Sequence, residues 1–306
     1  MNTTALELSW RPDGPLDIRR TLGPLRRGSA DPTFRIDAAG ALWRTTTTPD
    51  GPATLRLRRA PDAVTVLADG WGPGAAWAVA AVPDSLGARD DPTGFCPPPG
   101  WVTDTWRRYP GLRIPRTRRV WDALCLAILE QKVTGTESRR SWRELIGVAG
   151  TPAPGPGPPG MRVPPTPEAL LAVPDWVWHR CGVDGARRRT LRAAATVARR
   201  LEEAVQMPPE AALARLQVAP GIGRWTAAEV AQRAFGDADH VSVGDYHLAK
   251  FVGSALIGRR VDDEGMLDLL APYRPHRHRL VRLLEVSGYS APRFGPRATV
   301  RDYRAV

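Results

Sequence analysis

With 306 residues, a net charge of +11 and a pI near 10.6, the chain has room for two domains and the charge expected of a polyanion binder. Three scattered cysteines, Cys96, Cys125 and Cys181, exclude a disulfide framework and a CxxC metal site. No apolar run approaches the roughly 18 residues that span a bilayer, and no signal-peptide pattern is present, so the expected location is the cytoplasm with access to the nucleoid, with no membrane partner.

Residues 1–95 read as short β segments separated by turns. The runs at 41–51 and 53–70 are strand-like and end in Pro-Asp or Asp-Gly. Residues 16–25 and 72–86 are helical candidates. Together they predict a small α+β domain over residues 1–97, built on an antiparallel β-sheet. Its 11 arginines are balanced by 11 Asp and Glu within the first hundred residues. The whole excess of positive charge therefore lies beyond residue 100. That excess marks either a polyanion-binding surface or an arginine-rich solvated one, since Lys132 and Lys250 are the only lysines.

From about residue 98 to 306 the pattern turns helical and predicts a second, larger all-α domain. Residues 118–131 carry apolar side chains at helical spacing, and 137–146 follow as a second helix. The stretch 151–167 contains eight prolines and reads as a solvated, partly disordered loop. Thr166-Pro167-Glu168 is a helix start. A long Arg/Ala helix is expected over 185–204, and a last helix over 277–286.

Between them lies the most informative segment. A short helix from Pro208 must end before Pro220. Gly221 and Gly223 flank Ile222, which would plug the turn into the core. Glycine allows positive φ and close backbone approach, so the N–H groups of this turn can point outward at a phosphate. Arg224 adds charge where a new helix begins, running through Thr226 to Phe235. The plain alternative is a helix-turn-helix corner without a ligand. Twenty residues after Trp225 stands Asp245, at the mouth of another helix. Asp245 reads as an N-cap, or as a carboxylate that stabilises developing positive charge. The two roles are geometrically compatible.

The segments APGIGRWTAAEVAQRAF, residues 219–235, and VGDYHLAK, residues 243–250, resemble the helix-hairpin-helix DNA glycosylases. Within that superfamily they look most like the bacterial 3-methyladenine DNA glycosylase II family. ALCLAILEQKVTG, residues 123–135, resembles another helix of the same family, and the likeness spans roughly residues 100–290. The resemblance implies an enzyme that flips a damaged base from double-stranded DNA and excises it, acting as a monomer in base excision repair. Asp245 would be the catalytic carboxylate. Gly221, Ile222, Gly223, Arg224, Thr226 and Lys132 would meet the DNA. Trp225, Gln131 and Tyr246 would line the base pocket. The backbone carbonyls of Gln217, Ala219 and Ile222 would hold a monovalent cation, Na⁺ or K⁺. No cysteine follows Cys181, so the iron–sulfur cluster of some relatives is not expected, nor any other cofactor. Lyase-type relatives carry a lysine where this chain has Trp225, so the resemblance implies a monofunctional hydrolase on alkylated purines.

The chain departs from the family pattern at three places. Glu229 and Glu285 stand where pocket aromatics are expected, and Lys132 where an apolar wedge is expected. Two carboxylates would attract a cationic methylpurine or accept hydrogen bonds from exocyclic amines. The altered pocket also suggests a glycosylase for a deaminated or bulky-adduct purine, and a separate alternative is a non-catalytic helix-hairpin-helix protein that binds damaged DNA.

Overall fold

The computed structural model describes residues 4–291, 300 and 302. Five strands, β1 (Leu6–Trp10), β2 (Phe34–Ile36), β3 (Leu42–Thr48), β4 (Gly51–Arg59) and β5 (Val66–Trp71), form an antiparallel sheet in the order β1-β5-β4-β3-β2. The runs foreseen at 41–51 and 53–70 are β3, β4 and β5; the two edge strands were not anticipated. β3 and β4 pair from Leu42↔Leu57 to Thr48↔Gly51 around the turn Pro49-Asp50. One face presents Leu42, Leu55, Leu57, Val66 and Ala68 to the helices Ile18–Leu22 and Ala75–Ala80. The second helix packs close enough that a Cβ at Gly70 would meet Val79 Cγ2 at 2.4 Å, so this strand position must be glycine.

The other face corrects the expectation for residues 151–167. Trp43 and Trp71 stack with ring centroids 5.4 Å apart, and buried Met161 packs on them. Thr151–Pro152 pairs with Arg162–Val163. The Thr45 hydroxyl donates to the Arg162 carbonyl at 2.6 Å, and Trp121 Nε1 donates to the Pro165 carbonyl at 2.8 Å. The segment is therefore held to the sheet. Proline lowers the entropy cost of ordering it, and indole faces supply the apolar contact that its composition lacks.

All ten residues of the helix Val120–Leu129 are buried. Apart from Asp122 it is apolar on every side, as a helix at the centre of a helical layer must be. Around it lie Gly135–Ala149, Gly185–Thr196, Ala198–Glu202 and Arg224–Val230, sharing a core that includes Trp142, Trp178 and Leu191. The single helix expected over 185–204 is broken at Val197 (φ −115°, ψ 16°). Beyond the break, the Glu202 carboxylate accepts the N–H groups of Val120 and Trp121 at 3.1 and 3.0 Å. It thereby caps the buried helix, which has no capping side chain at its own N-terminus. A separate cluster joins Trp101–Arg108, Leu248–Ile257, Asp263–Leu270 and Arg277–Val286.

Charged side chains tie sheet and helices together. Asp122, on the buried helix, accepts the hydroxyls of Thr46 and Thr47 from β3 at 2.5 and 2.6 Å. Arg279 grips Asp90 through both terminal nitrogens at 2.8 and 2.6 Å, with both side chains buried. Removing one partner of such a pair leaves the other charge buried alone, at a cost of about 3–5 kcal/mol. Asp90→Ala should lower the unfolding free energy by about that amount in guanidinium denaturation. A loss below about 1 kcal/mol would show that Arg279 finds water instead.

Candidate nucleic-acid interface and active-site cleft

The hairpin forms as its residue types require. The helix Pro209–Gln217 ends, Gly221 takes φ +86°, and the next helix runs Arg224–Val230 with Gly223 as its N-cap. A Cβ at Gly221 would stand 2.1 Å from Thr190 Oγ1, so both the dihedral and the space demand glycine. Ile222 is buried in the main helical core and its N–H donates to the Ala219 carbonyl at 3.1 Å. Gly221, Gly223 and Arg224 are exposed, as is Lys132 on the turn that follows the buried helix, at φ +53°. Thr226 is buried and accepts from Gln131 Nε2 at 2.8 Å. The same Gln131 nitrogen donates to the Gly221 carbonyl at 3.0 Å. Gln131 therefore pins the hairpin to the end of the buried helix, and Thr226 serves that joint instead of an outer surface.

Asp245 is held by both oxygens. One accepts the indole N–H of Trp225 at 3.2 Å. The other accepts the N–H groups of His247 and Leu248 at 2.8 and 2.9 Å, at the start of the helix Leu248–Ile257. Asp245 thus closes the turn that leads into this helix, whose N-cap is His247, and the same side chain also lines a cleft of about 550 Å³ between the Gly23–Arg27 stretch and the helices Arg224–Val230 and Arg277–Val286.

Of the expected pocket residues, Glu229 and Glu285 line this cleft together with Asp245; Trp225, Gln131 and Tyr246 do not. Trp225 packs its ring on the main core and reaches the site only through Asp245. Tyr246 is 76% exposed, set edge-on to His247, with Lys250 Nζ 4.0 Å from its ring centroid. The pocket is not without aromatics: Phe251 and Tyr289 line it, their rings 5.9 Å apart. The α-helical spacing Leu248–Phe251 carried a signal for the first; nothing in the sequence pointed to the second.

The carboxylates are not free. Glu229 pairs with Arg233 at 2.8 Å and accepts the Ser242 hydroxyl. Glu130 lies 2.9 Å from Arg27, and Arg282 is paired to Glu285. Burial works against the Arg233 charge, and Glu229 with Glu130 overturns that penalty, so its pKa rises. Arg27 is pulled down by burial despite Glu130. Burial, then the charges of Arg282 and Arg233, push His278 in the same wall well below the usual histidine range, which leaves it neutral at pH 7. The local pairs Glu229/Arg233 and Arg282/Glu285 were readable as helical spacings. Arg27, which is 103 residues from Glu130, was not.

No family model and no curated protein matches the sequence. Solved structures do. The 3-methyladenine DNA glycosylase from Archaeoglobus fulgidus superposes with a TM-score of 0.74 at 16% identity, covering 92% of this chain and 98% of that one. The apo 8-oxoguanine glycosylase/lyase of Clostridium acetobutylicum gives 0.68 at 13%, over 94% and 100%. The Schizosaccharomyces pombe 3-methyladenine DNA glycosylase, bound to abasic DNA, gives 0.50 at 18%, over 61% and 92%. This chain has their fold, the α+β fold with an antiparallel sheet beside a helical layer.

Two tests follow from the geometry. Gln131→Leu should speed amide hydrogen exchange across 219–226 and cost about 1–2 kcal/mol, from two lost bonds; unchanged exchange there would show the hairpin stands without it. A histidine whose folded pKa is depressed stabilises above its unfolded pKa and loses that contribution as pH falls. The wild type should therefore lose more stability than His278→Gln between about pH 7 and about pH 5 in urea titrations. Equal losses would contradict the buried neutral ring.

Proposed function

We propose that the chain is a monofunctional DNA glycosylase that extrudes a damaged purine from duplex DNA and hydrolyses its N-glycosidic bond. The observation that carries this reading is Asp245, fixed by Trp225 and a helix N-terminus at the wall of a base-sized cleft, beside an exposed glycine hairpin. A base inside the stack cannot be reached, so it must be flipped, most cheaply when damage weakens its pairing. Exposed Gly221, Gly223, Arg224 and Lys132 would hold the backbone without reading sequence. As the C1′–N9 bond breaks, its electron pair leaves with the base and positive charge builds on the sugar. The Asp245 carboxylate stabilises that charge, water adds to C1′ and sheds a proton that ends on the departed base, and an abasic site remains.

A lyase needs an amine in the site. Neither lysine lines the cleft: Lys132 is exposed on the turn after the buried helix, and Lys250 lies over Tyr246. The three structural neighbours are named as DNA glycosylases, two for 3-methyladenine and one for 8-oxoguanine, which supports the class of reaction. An alkylated purine remains the lesion that the sequence resemblance favours. The idea that free carboxylates draw in a cationic base loses its support, because Glu229 and Glu285 are both paired to arginine. We also propose that any monovalent cation at the hairpin would use the carbonyls of Gln217, Ala219 and Ile222, an all-oxygen set suited to a hard ion. The Ala219 carbonyl, already accepting Ile222 N–H, keeps one lone pair for it.

Asp245→Asn should reduce base release at least about 100-fold while duplex binding survives; release within a few-fold of wild type would sink the assignment. Binding should fall roughly tenfold to a hundredfold between about 50 and about 200 mM salt, as expected for a few phosphate contacts. Borohydride should trap no covalent enzyme–DNA adduct; a trapped adduct would refute the monofunctional mechanism.

A further inference from the structure

We infer that His278 is a further residue of the active site, whose imidazole N–H bonds to the far edge of the extruded base as the glycosidic bond breaks. The inference rests on the glycosylase reading above and adds a residue to it, whichever damaged base enters.

His278 is 7% exposed and lines the cleft. Among the described residues, none hydrogen-bonds to its ring, and neither ring nitrogen is sealed in the interior. The charged groups beside it are engaged: Arg233 with Glu229, Arg282 with Glu285. A neutral imidazole carries one N–H donor and one bare acceptor nitrogen. Holding both away from bulk water without a protein partner is costly, and an apolar side chain here would avoid the cost. A buried polar group of this kind calls for an explanation, and a ligand that meets the ring inside the cleft supplies one.

The place of the ring fits that ligand. His278, Val281, Arg282 and Glu285 share one face of the helix Arg277–Val286, at helical spacing, and all line the cleft. Along that face the side chain of Arg282 is 14% exposed and that of Glu285 43%, so His278 stands at the closed end. Asp245 stands at the other. It bonds Trp225, at the start of the helix Arg224–Val230. Arg233 lies about two turns further along, on the order of 12 Å. There its Nε donates to the Pro24 carbonyl, and its charge is one of those that act on His278. A nucleotide with its sugar at Asp245 therefore points its base along the cleft, far edge toward His278.

The ring is suited to the task. Burial, then Arg282 and Arg233, keep it unprotonated at pH 7; Arg279 acts in the same sense and Asp237 in the opposite one. A neutral histidine can polarise an acceptor by hydrogen bonding alone. As the C1′–N9 bond breaks, the electron pair moves onto the base and its acceptor atoms become stronger. The bond from His278 tightens with them, and an interaction that is stronger in the transition state than before it speeds the step. No proton leaves the imidazole; the proton that ends on the base comes from the attacking water.

The test compares wild type, His278→Leu and His278→Gln in single-turnover base release, resolved by chromatography. The duplexes are one methylated to carry 3-methyladenine and 7-methylguanine, one with hypoxanthine and one with 8-oxoguanine; the variants are compared on the base that wild type releases fastest. Leucine has no polar atom to leave unmet, so His278→Leu should hold or raise the urea midpoint at pH 7. It should bind undamaged duplex as wild type does, since the hairpin grips the backbone. Its release rate at saturating enzyme should nevertheless fall at least about tenfold, and His278→Gln, which keeps a donor, should recover part of the loss. A histidine that only packs predicts otherwise: release by His278→Leu within a few-fold of wild type overturns the inference while the glycosylase reading stands, and so does a loss confined to duplex affinity. If leucine unfolds the chain, histidine-selective ¹⁵N spectra of wild type decide, with the His278 signals identified from His278→Gln. They should move when a duplex carrying an uncleavable 2′-fluoro analogue of that nucleotide binds, and signals that stay in place overturn the inference. If wild type releases no base from any duplex, the glycosylase reading falls and takes the inference with it.

Discussion

The carboxylate of Asp245 sits between an indole N–H and the first N–H groups of the helix Leu248–Ile257, and most of the architecture can be understood as what keeps it there. A capping aspartate is normally free to turn its second oxygen to solvent. Here Trp225 takes that oxygen from the side, so the group is fixed in two directions at the wall of the cleft. Trp225 in turn is set by the main helical core and by the hairpin from which its helix springs. A carboxylate used to stabilise a short-lived cation gains from being oriented beforehand, since nothing then has to reorganise as charge develops.

The hairpin itself is referred back to the buried helix Val120–Leu129. Gln131, just past its end, bonds both the Gly221 carbonyl and Thr226. The same helix is capped at its start by Glu202 and joined to β3 through Asp122. One apolar rod thus carries references to the sheet at one end and to the hairpin at the other. The N-terminal sheet region does more than buttress: its Gly23–Arg27 stretch forms a wall of the cleft, and Arg27 meets Glu130 at the end of the rod.

Much of this was legible in the sequence, for identifiable reasons. The glycine hairpin and Asp245 are local features, set by φ preferences and by capping, and they lie where the pattern put them. The strands from β3 to β5 followed from alternation and turn residues. What could not be read was whatever depends on contact between distant segments. Glu229 and Glu285 looked like free carboxylates because the partner arginines only become relevant once helical faces are oriented toward one cleft. Tyr289 and Arg27 reach the cleft from opposite ends of the chain. The proline-rich stretch looked unfolded by composition, and only the stacked Trp43 and Trp71 give it something to pack on. Gln131 and Tyr246 had been expected in the pocket by likeness, but one is spent on the hairpin and the other faces outward.

The central claim is that the hairpin, Asp245 and the cleft act on one nucleotide. The most direct measurement is a crystal structure of the Asp245→Asn variant bound to a duplex with a single damaged purine. The account predicts an extruded nucleotide with its base in the cleft, its C1′ within about 3.5 Å of residue 245, and a phosphate against the exposed N–H groups of the hairpin. A duplex seated away from the hairpin with every base still stacked would contradict it.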